Sequence, residues 1–281
     1  MKKWRWPSES GMAGFGGIDL SGQDLQENDF SLCYLHGAKF AAANLSGSVF
    51  DRSVLVGCDF TGAKLSGTRF GASDLSESIM VGADVTKVDF ERANLTKVKA
   101  RGVDFSTTLR MSKQLSQAVL DECNMEGLNL TAAKLSGTLL RSSNLTRAIL
   151  SKADFRLARL EHACLNSALV SGANFQGSNL SYADLTSVQA SSARFDGAKF
   201  DGASALPQSI DFRNPRAIRM RSPNSHWRDD RQPKRTYWSF DEAREAATAT
   251  SRESNRALGV YVCFDVDPLH WHVGNLRQSA L

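Results

Sequence analysis

The sequence predicts an all-β solenoid, and two registers of side chains carry that prediction. From Phe15 to Phe200 an apolar residue falls on every fifth position without a slip in phase, and of these 38 positions the one polar occupant is Arg110. A second register runs two residues earlier, where 33 of the 38 positions from 13 to 198 hold Ala, Ser, Thr, Cys or Val; Ile18, Gln23, Asn28, Lys113 and Leu128 are the exceptions. A period of five matches neither the 3.6-residue period of a helix nor the 2-residue period of a strand, so the chain turns every five residues. One large and one small inward side chain per unit, with outward polar or Gly positions between, describes one side of a polygonal coil that stacks on the next.

Segments such as Ala43-Asn44-Leu45-Ser46-Gly47, Ala93-Asn94-Leu95-Thr96-Lys97 and Ala183-Asp184-Leu185-Thr186-Ser187 resemble the A(D/N)LXX motif of the pentapeptide-repeat family, over about 190 of the 281 residues. The resemblance implies a right-handed quadrilateral β-helix with four pentads per coil. Residues 15–205 then make about nine and a half coils, and a strand spacing of ~4.8 Å gives a rod ~45 Å long.

Residues 1–14 place Trp4, Trp6 and Pro7 ahead of a Gly-rich lead-in, and are expected to cover the first coil, whose unpaired edges otherwise invite end-to-end association. Sorting the inward positions by twenty gives four columns, one of which reads Phe30, Phe50, Phe70, Phe90, Arg110, Leu130. Its aromatic half predicts a structural core of rings one strand spacing apart, within range of offset stacking. Arg110 breaks that ladder, and an inward guanidinium in an apolar lumen costs several kcal/mol unless paired. The run from Ser106 to Gln114 loses both registers together, with Lys113 on a small position, and the phase resumes at Leu115. The expectation is a bulge or short loop that turns Arg110 outward, leaves its rung empty and preserves the residue count. On that reading Arg110→Leu is tolerated or stabilising.

Outward Asp and Asn, as at Asp84, Asp104, Asn144 and Asp184, are followed two residues on by Thr86, Ser106, Thr146 and Thr186. Both types hydrogen-bond local backbone in tight turns, which accounts for them better than a binding surface does. Other outward positions are apolar: Val49, Leu109, Ile149 and Leu169 on one face, Val119 and Leu139 on another, a candidate patch. Together with the irregular run they define candidate partner-binding residues Leu109, Arg110, Met111, Lys113, Ile149 and Leu169.

Residues 206–235 read as a basic linker: 211–235 hold eight Lys and Arg against three Asp, interrupted by Pro215, Pro223 and Pro233. Ser239-Phe240-Asp241-Glu242 is a capping box that opens a helix through about Ala257, with Leu258-Gly259 as its stop and a strand over 260–266. Residues 236–281 are thus expected to form a small α+β cap on the rod, supporting a homodimer through Phe240, Tyr261, Phe264 and Trp271.

The remaining features narrow the function class. No window reaches 18 consecutive apolar residues and no apolar run follows the charged N-terminus, so neither a membrane span nor a signal peptide is expected. A cytoplasmic location follows, with signal-less secretion compatible. Three of the five cysteines, Cys33, Cys58 and Cys123, sit in the small inward register and read as buried apolar residues, not a disulfide framework. There is no phosphate loop, nucleophile elbow or HExxH, and His270-x-His272 with Cys263 supplies three metal-ligand types without a fourth. No catalytic residue, metal or cofactor is expected.

A non-catalytic protein-binding scaffold is the expected function. The family resemblance implies its sharpest form, a modulator or protector of DNA gyrase or topoisomerase IV of the quinolone- or toxin-resistance type. The alternative is a secreted bacterial effector or adaptor that presents its C-terminal segment to a protein partner. The mid-rod irregularity and C-terminal helix favour the topoisomerase reading; against it, residues 1–203 carry 22 Lys and Arg to 21 Asp and Glu, where a duplex mimic needs an acidic stripe. Direct nucleic-acid contact through the basic linker, with Trp227, Tyr237 and Trp238 stacking on bases, is not expected, because prolines and acids break the run.

Overall fold

In the computed structural model the chain is described over residues 15–200, at residue 203, and for the backbone of 258–263 and 270–275. Over 15–200 each pentad repeats one backbone unit. The carbonyl of the central apolar residue accepts the N–H of the small residue three positions on, as in Ala43 N to Phe40 O at 3.0 Å. The residue just before the small one has positive φ in turn after turn, at 14 Gly and 21 other residues. A type II turn demands that conformation at its third residue.

Coil pairs with coil through single parallel bridges twenty residues apart, such as Asn44↔Lys64. Leu45 N reaches Lys64 O at 2.8 Å, Gly47 N reaches Ser66 O at 2.9 Å and Lys64 N reaches Ala43 O at 2.9 Å, so ladder and turn together employ four of the five N–H groups of a pentad. The fifth, on the residue after the central one, is taken by a side chain: Thr86 N donates to Asp84 Oδ1 at 3.0 Å and Thr96 N to Asn94 Oδ1 at 3.1 Å. That orphan donor is the physical reason for Asp or Asn before the central Leu or Phe. The outward acids and amides are therefore turn chemistry, as their spacing predicts.

Four pentads make one coil, giving four faces: A contains Phe30, B Leu35, C Phe40 and D Leu45. The Phe ladder of face A is present, with ring centroids 4.7 Å apart for Phe30–Phe50, 5.2 Å for Phe50–Phe70 and 5.5 Å for Phe70–Phe90. Phe40 and Phe60 stack at 5.1 Å on face C and meet the first ladder edge to face, as in Phe40–Phe50 at 82°. Most small inward hydroxyls bond to main chain, as Thr68 Oγ1 does to Leu45 O at 2.8 Å and Ser53 Oγ to Phe50 O at 2.6 Å, which lets Ser and Thr share a dry register with Ala; Ser78 and Ser178 are buried there without a partner among the described residues. Cys33, Cys58 and Cys123 are buried there as free thiols, and burial pushes Cys58 and Cys123 up to about 12.

Near the C-terminus β1 (Leu258–Cys263) pairs antiparallel with β2 (His270–Asn275), setting Val262 opposite Trp271 and Cys263 opposite His270. The strand forecast over 260–266 thus begins two residues earlier. Leu258 and Gly259, read as a helix stop, pair instead with Asn275 and Gly274, a partner strand that the sequence pattern did not reveal. Tyr261 lies on β1 and Trp271 on β2. The helix expected from Ser239 to Ala257, residues 1–14, the linker, Phe240 and Phe264 fall outside the described residues.

Candidate functional site

Face A carries the one change of period in the rod. Asp89 bridges to Arg110, 21 residues on, where other bridges span 20. Leu109 donates its N–H to Val88 O at 2.9 Å while the Arg110 carbonyl accepts from Phe90 N at 2.9 Å, so two residues do what one does in other coils. Two residues opposing one is a β-bulge. Counting from Phe105, the next inward side chain is Met111, which is half-buried against the core, and the following one is Leu115. A six-residue step followed by a four-residue step restores the phase.

This corrects the expectation of an empty rung: Met111 fills it. Ser112 is fully buried, its Oγ donating to Ala93 O at 2.6 Å, and takes the small inward place that the count assigns to Lys113. Lys113 is exposed. Met111 accordingly packs, half-buried, against the core, and its thioether fills a gap for which no five-residue repeat was built.

Arg110 does point outward, as expected, yet it is engaged. It donates through Nε to Asp89 Oδ1 at 2.9 Å and pairs through its terminal nitrogens with Asp89 and Glu91. The Asp89 hydrogen bonds hold the guanidinium above its ordinary pKa. Asp89 is 4% exposed and also accepts the N–H of Glu91 at 3.0 Å. Removing Arg110 leaves a buried carboxylate without a counter-ion, so the tolerance expected of Arg110→Leu gives way to destabilisation.

The bulge leaves Leu109 66% exposed. Farther along face A, Ile149 and Leu169 stand at the bridge position, half-buried, with Ile149↔Leu169 paired directly. The structure therefore places Leu109, Arg110, Ile149 and Leu169 outward on face A and Lys113 at the corner between faces A and B, and turns Met111 toward the core. Val119 and Leu139 stand half-buried on face C.

Sequence reasoning missed the ion pairs across coils. Asp51 accepts from Arg69 Nη2 at 2.5 Å and from Gly71 N at 2.9 Å. Asp121, 5% exposed, accepts from Arg141 Nη2 at 2.5 Å and from its N–H at 2.8 Å. The signal was present as opposite charges 18 to 21 residues apart, visible once the coil length is known. A shallow open groove of about 580 Å³ is lined by Gln117, Ser136, Gly137, Arg156, Leu157, Gln176 and Gly177. Among the described residues no group of His, Cys, Asp and Glu is placed to hold a metal ion.

The fold and its face define a repeat scaffold, a stack of pentad coils with outward side chains carried on rigid turns. The chain belongs to the pentapeptide-repeat family: eight copies of the family's pentapeptide repeats match, over residues 33–71, 69–106, 114–137, 133–172 and 171–204. Three solved structures illustrate the likeness. HetL, a pentapeptide-repeat protein involved in heterocyst differentiation regulation from the cyanobacterium Nostoc sp., is 26% identical, over 69% of this chain and 91% of its own, with a TM-score of 0.38. QnrB1, a plasmid-mediated fluoroquinolone resistance protein, is 17% identical, over 74% of this chain and 76% of its own, with a TM-score of 0.33. Rfr23 from the cyanobacterium Cyanothece is 20% identical, over 66% and 90%, with a TM-score of 0.20. Among curated sequences none matches.

Proposed function

We propose that this protein is a non-catalytic protein-binding scaffold whose contact surface is face A around the bulge. The observation that supports this reading is Leu109, a large apolar side chain 66% exposed at the one irregular step of the rod. Bulges re-aim side chains, and an exposed leucine held on a rigid turn is a ready anchor for a partner's pocket. Ile149 and Leu169 extend the apolar surface along the same face.

In its sharpest form the partner is DNA gyrase or topoisomerase IV. Supercoiling by purified gyrase, with and without the full chain and with and without a quinolone, tests this. Altered supercoiling or protection from the drug, lost on Leu109→Ser, supports it; activity that the full chain leaves unchanged, both with and without the drug, eliminates gyrase, and decatenation by topoisomerase IV decides the other enzyme in the same way. One observation favours an effector or adaptor role instead: residues 15–200 hold 19 Lys and Arg and 19 Asp and Glu, whereas a mimic of duplex DNA needs an excess of acid. The homodimer through residues 236–281 stands as part of this proposal, and light scattering on a chain cut after Pro207 tests it.

A further inference from the structure

The corner between faces A and B carries a row of cations. Arg52, Arg92, Lys113 and Lys152 are all exposed, and none has an ion pair among the described residues. They lie two, one and two coils apart, so at the usual strand spacing of ~4.8 Å the row is ~24 Å long. The acids beside it are partly compensated: Asp51 pairs with Arg69, Asp89 and Glu91 share Arg110, and Asp74 on face B accepts hydrogen bonds from Ser76 and Asn94 but has no ion pair among the described residues. The four cations of the row therefore outnumber the acid charge left over beside it, and the corner carries an excess of positive charge although the rod as a whole is neutral.

The turn conformation adds a second observation. Arg52, Arg92 and Lys152 all occupy positive-φ positions, at 58°, 59° and 59°. Glycine fits that conformation without strain, and L side chains adopt it at a cost. At the other three corners 13 of 27 such positions are Gly; at this corner one of eight is, Gly172. Long side chains stand here against the local conformational preference.

We propose that this corner row binds an extended acidic segment of a protein partner, with an apolar residue of that segment set against Leu109. The inference rests on the scaffold reading and adds the chemistry of the partner. Alternate side chains of an extended chain repeat every ~7 Å, commensurate with cations ~5–10 Å apart along the rod. A polypeptide fits better than nucleic acid for two reasons. Leu109, Ile149 and Leu169 border the row, and apolar side chains gain nothing from a sugar-phosphate backbone. No aromatic side chain between Arg52 and Lys152 is exposed for bases to stack on, among the described residues.

The test measures fluorescence anisotropy of three labelled probes with the full chain: a peptide alternating glutamate and leucine, the same peptide with glutamine for glutamate, and a duplex DNA oligonucleotide. The acidic peptide should bind at least tenfold more tightly than the other two, with affinity falling as salt rises. Arg92→Glu with Lys113→Glu should weaken it at least tenfold, Arg92→Gln with Lys113→Gln by less, and Lys64→Glu on face D not at all, each variant keeping its circular dichroism. Equal binding of the neutral peptide overturns the acidic selectivity and leaves the scaffold reading standing. Tighter binding of DNA, or an equal loss on Lys64→Glu, also overturns the proposal. Absence of binding by either peptide overturns the proposal and leaves the scaffold reading to the supercoiling test.

Discussion

Arg110 donates its Nε–H to Asp89 Oδ1 at 2.9 Å, and this contact anchors the outward turn of the bulge to a buried carboxylate of the preceding coil. Replacing Arg110 with Leu should lower the melting temperature by more than Lys97→Leu does at the exposed Lys97–Glu77 pair. Adding Asp89→Asn to Arg110→Leu should recover part of the loss, because the uncompensated charge is then gone. A single variant that melts at or above the wild-type temperature refutes this account.

Phe70 lies between Phe50 and Phe90 with its ring wholly buried. Phe70→Ala should cost about 3–5 kcal/mol in urea unfolding, the transfer of the ring plus the cavity that stacked coils cannot collapse. Phe70→Asp should not fold, since a carboxylate there adds desolvation to the lost burial.

Burial raises the Cys58 and Cys123 thiols from an ordinary 9.0 to about 12. For a group whose folded value lies above its unfolded one, stability is full below the unfolded value and is lost as pH climbs through the folded one. Between pH 9 and 12 each thiol should therefore remove ~1.4 kcal/mol of stability per pH unit. Urea midpoints of the wild type should fall more steeply over that range than those of Cys58→Ala with Cys123→Ala. Parallel curves count against burial of these thiols. Of the four cysteines among the described residues 15–200, half-buried Cys164 should react first with a thiol reagent.

A Cβ at Gly71 meets Asp51 Oδ1 at 2.8 Å, so Gly71→Ala must push that carboxylate away from the Gly71 N–H and Arg69. The expected cost is ~1 kcal/mol, the order of one net hydrogen bond. In an Asp51→Ala background Gly71→Ala should cost almost nothing, and an undiminished cost there excludes the Asp51 explanation.

Most of the rod was legible because its pattern is local. Every fifth residue enters the lumen in a structure whose coils all face the same environment, so Phe30, Phe50, Phe70 and Phe90 declared their column before any coordinate was known. Even the irregular step announced itself, through a charge at Arg110 that an apolar lumen rejects. Its resolution was hidden, since Met111 and Ser112 fill inward places only once a six-residue step has been followed by a four-residue one, and two neighbouring coils must be laid together to show it. Leu258 and Gly259 were misread for a similar reason: their partners, Asn275 and Gly274, lie on a strand with no strong period of its own.

The sequence by itself determined the period, the inward and outward sets of the regular coils, the turn residues and the site of the bulge, because each follows from solvation and backbone preference within a few residues. Only the tertiary structure decided which charges meet. Asp89 with Arg110, Asp51 with Arg69 and Asp121 with Arg141 lie about one coil apart along the chain, and their pairing depends on strand stacking that brings residues some twenty positions apart to within a single hydrogen bond. The same stacking leaves Arg52, Arg92, Lys113 and Lys152 in one row, a surface that exists only where coil lies on coil.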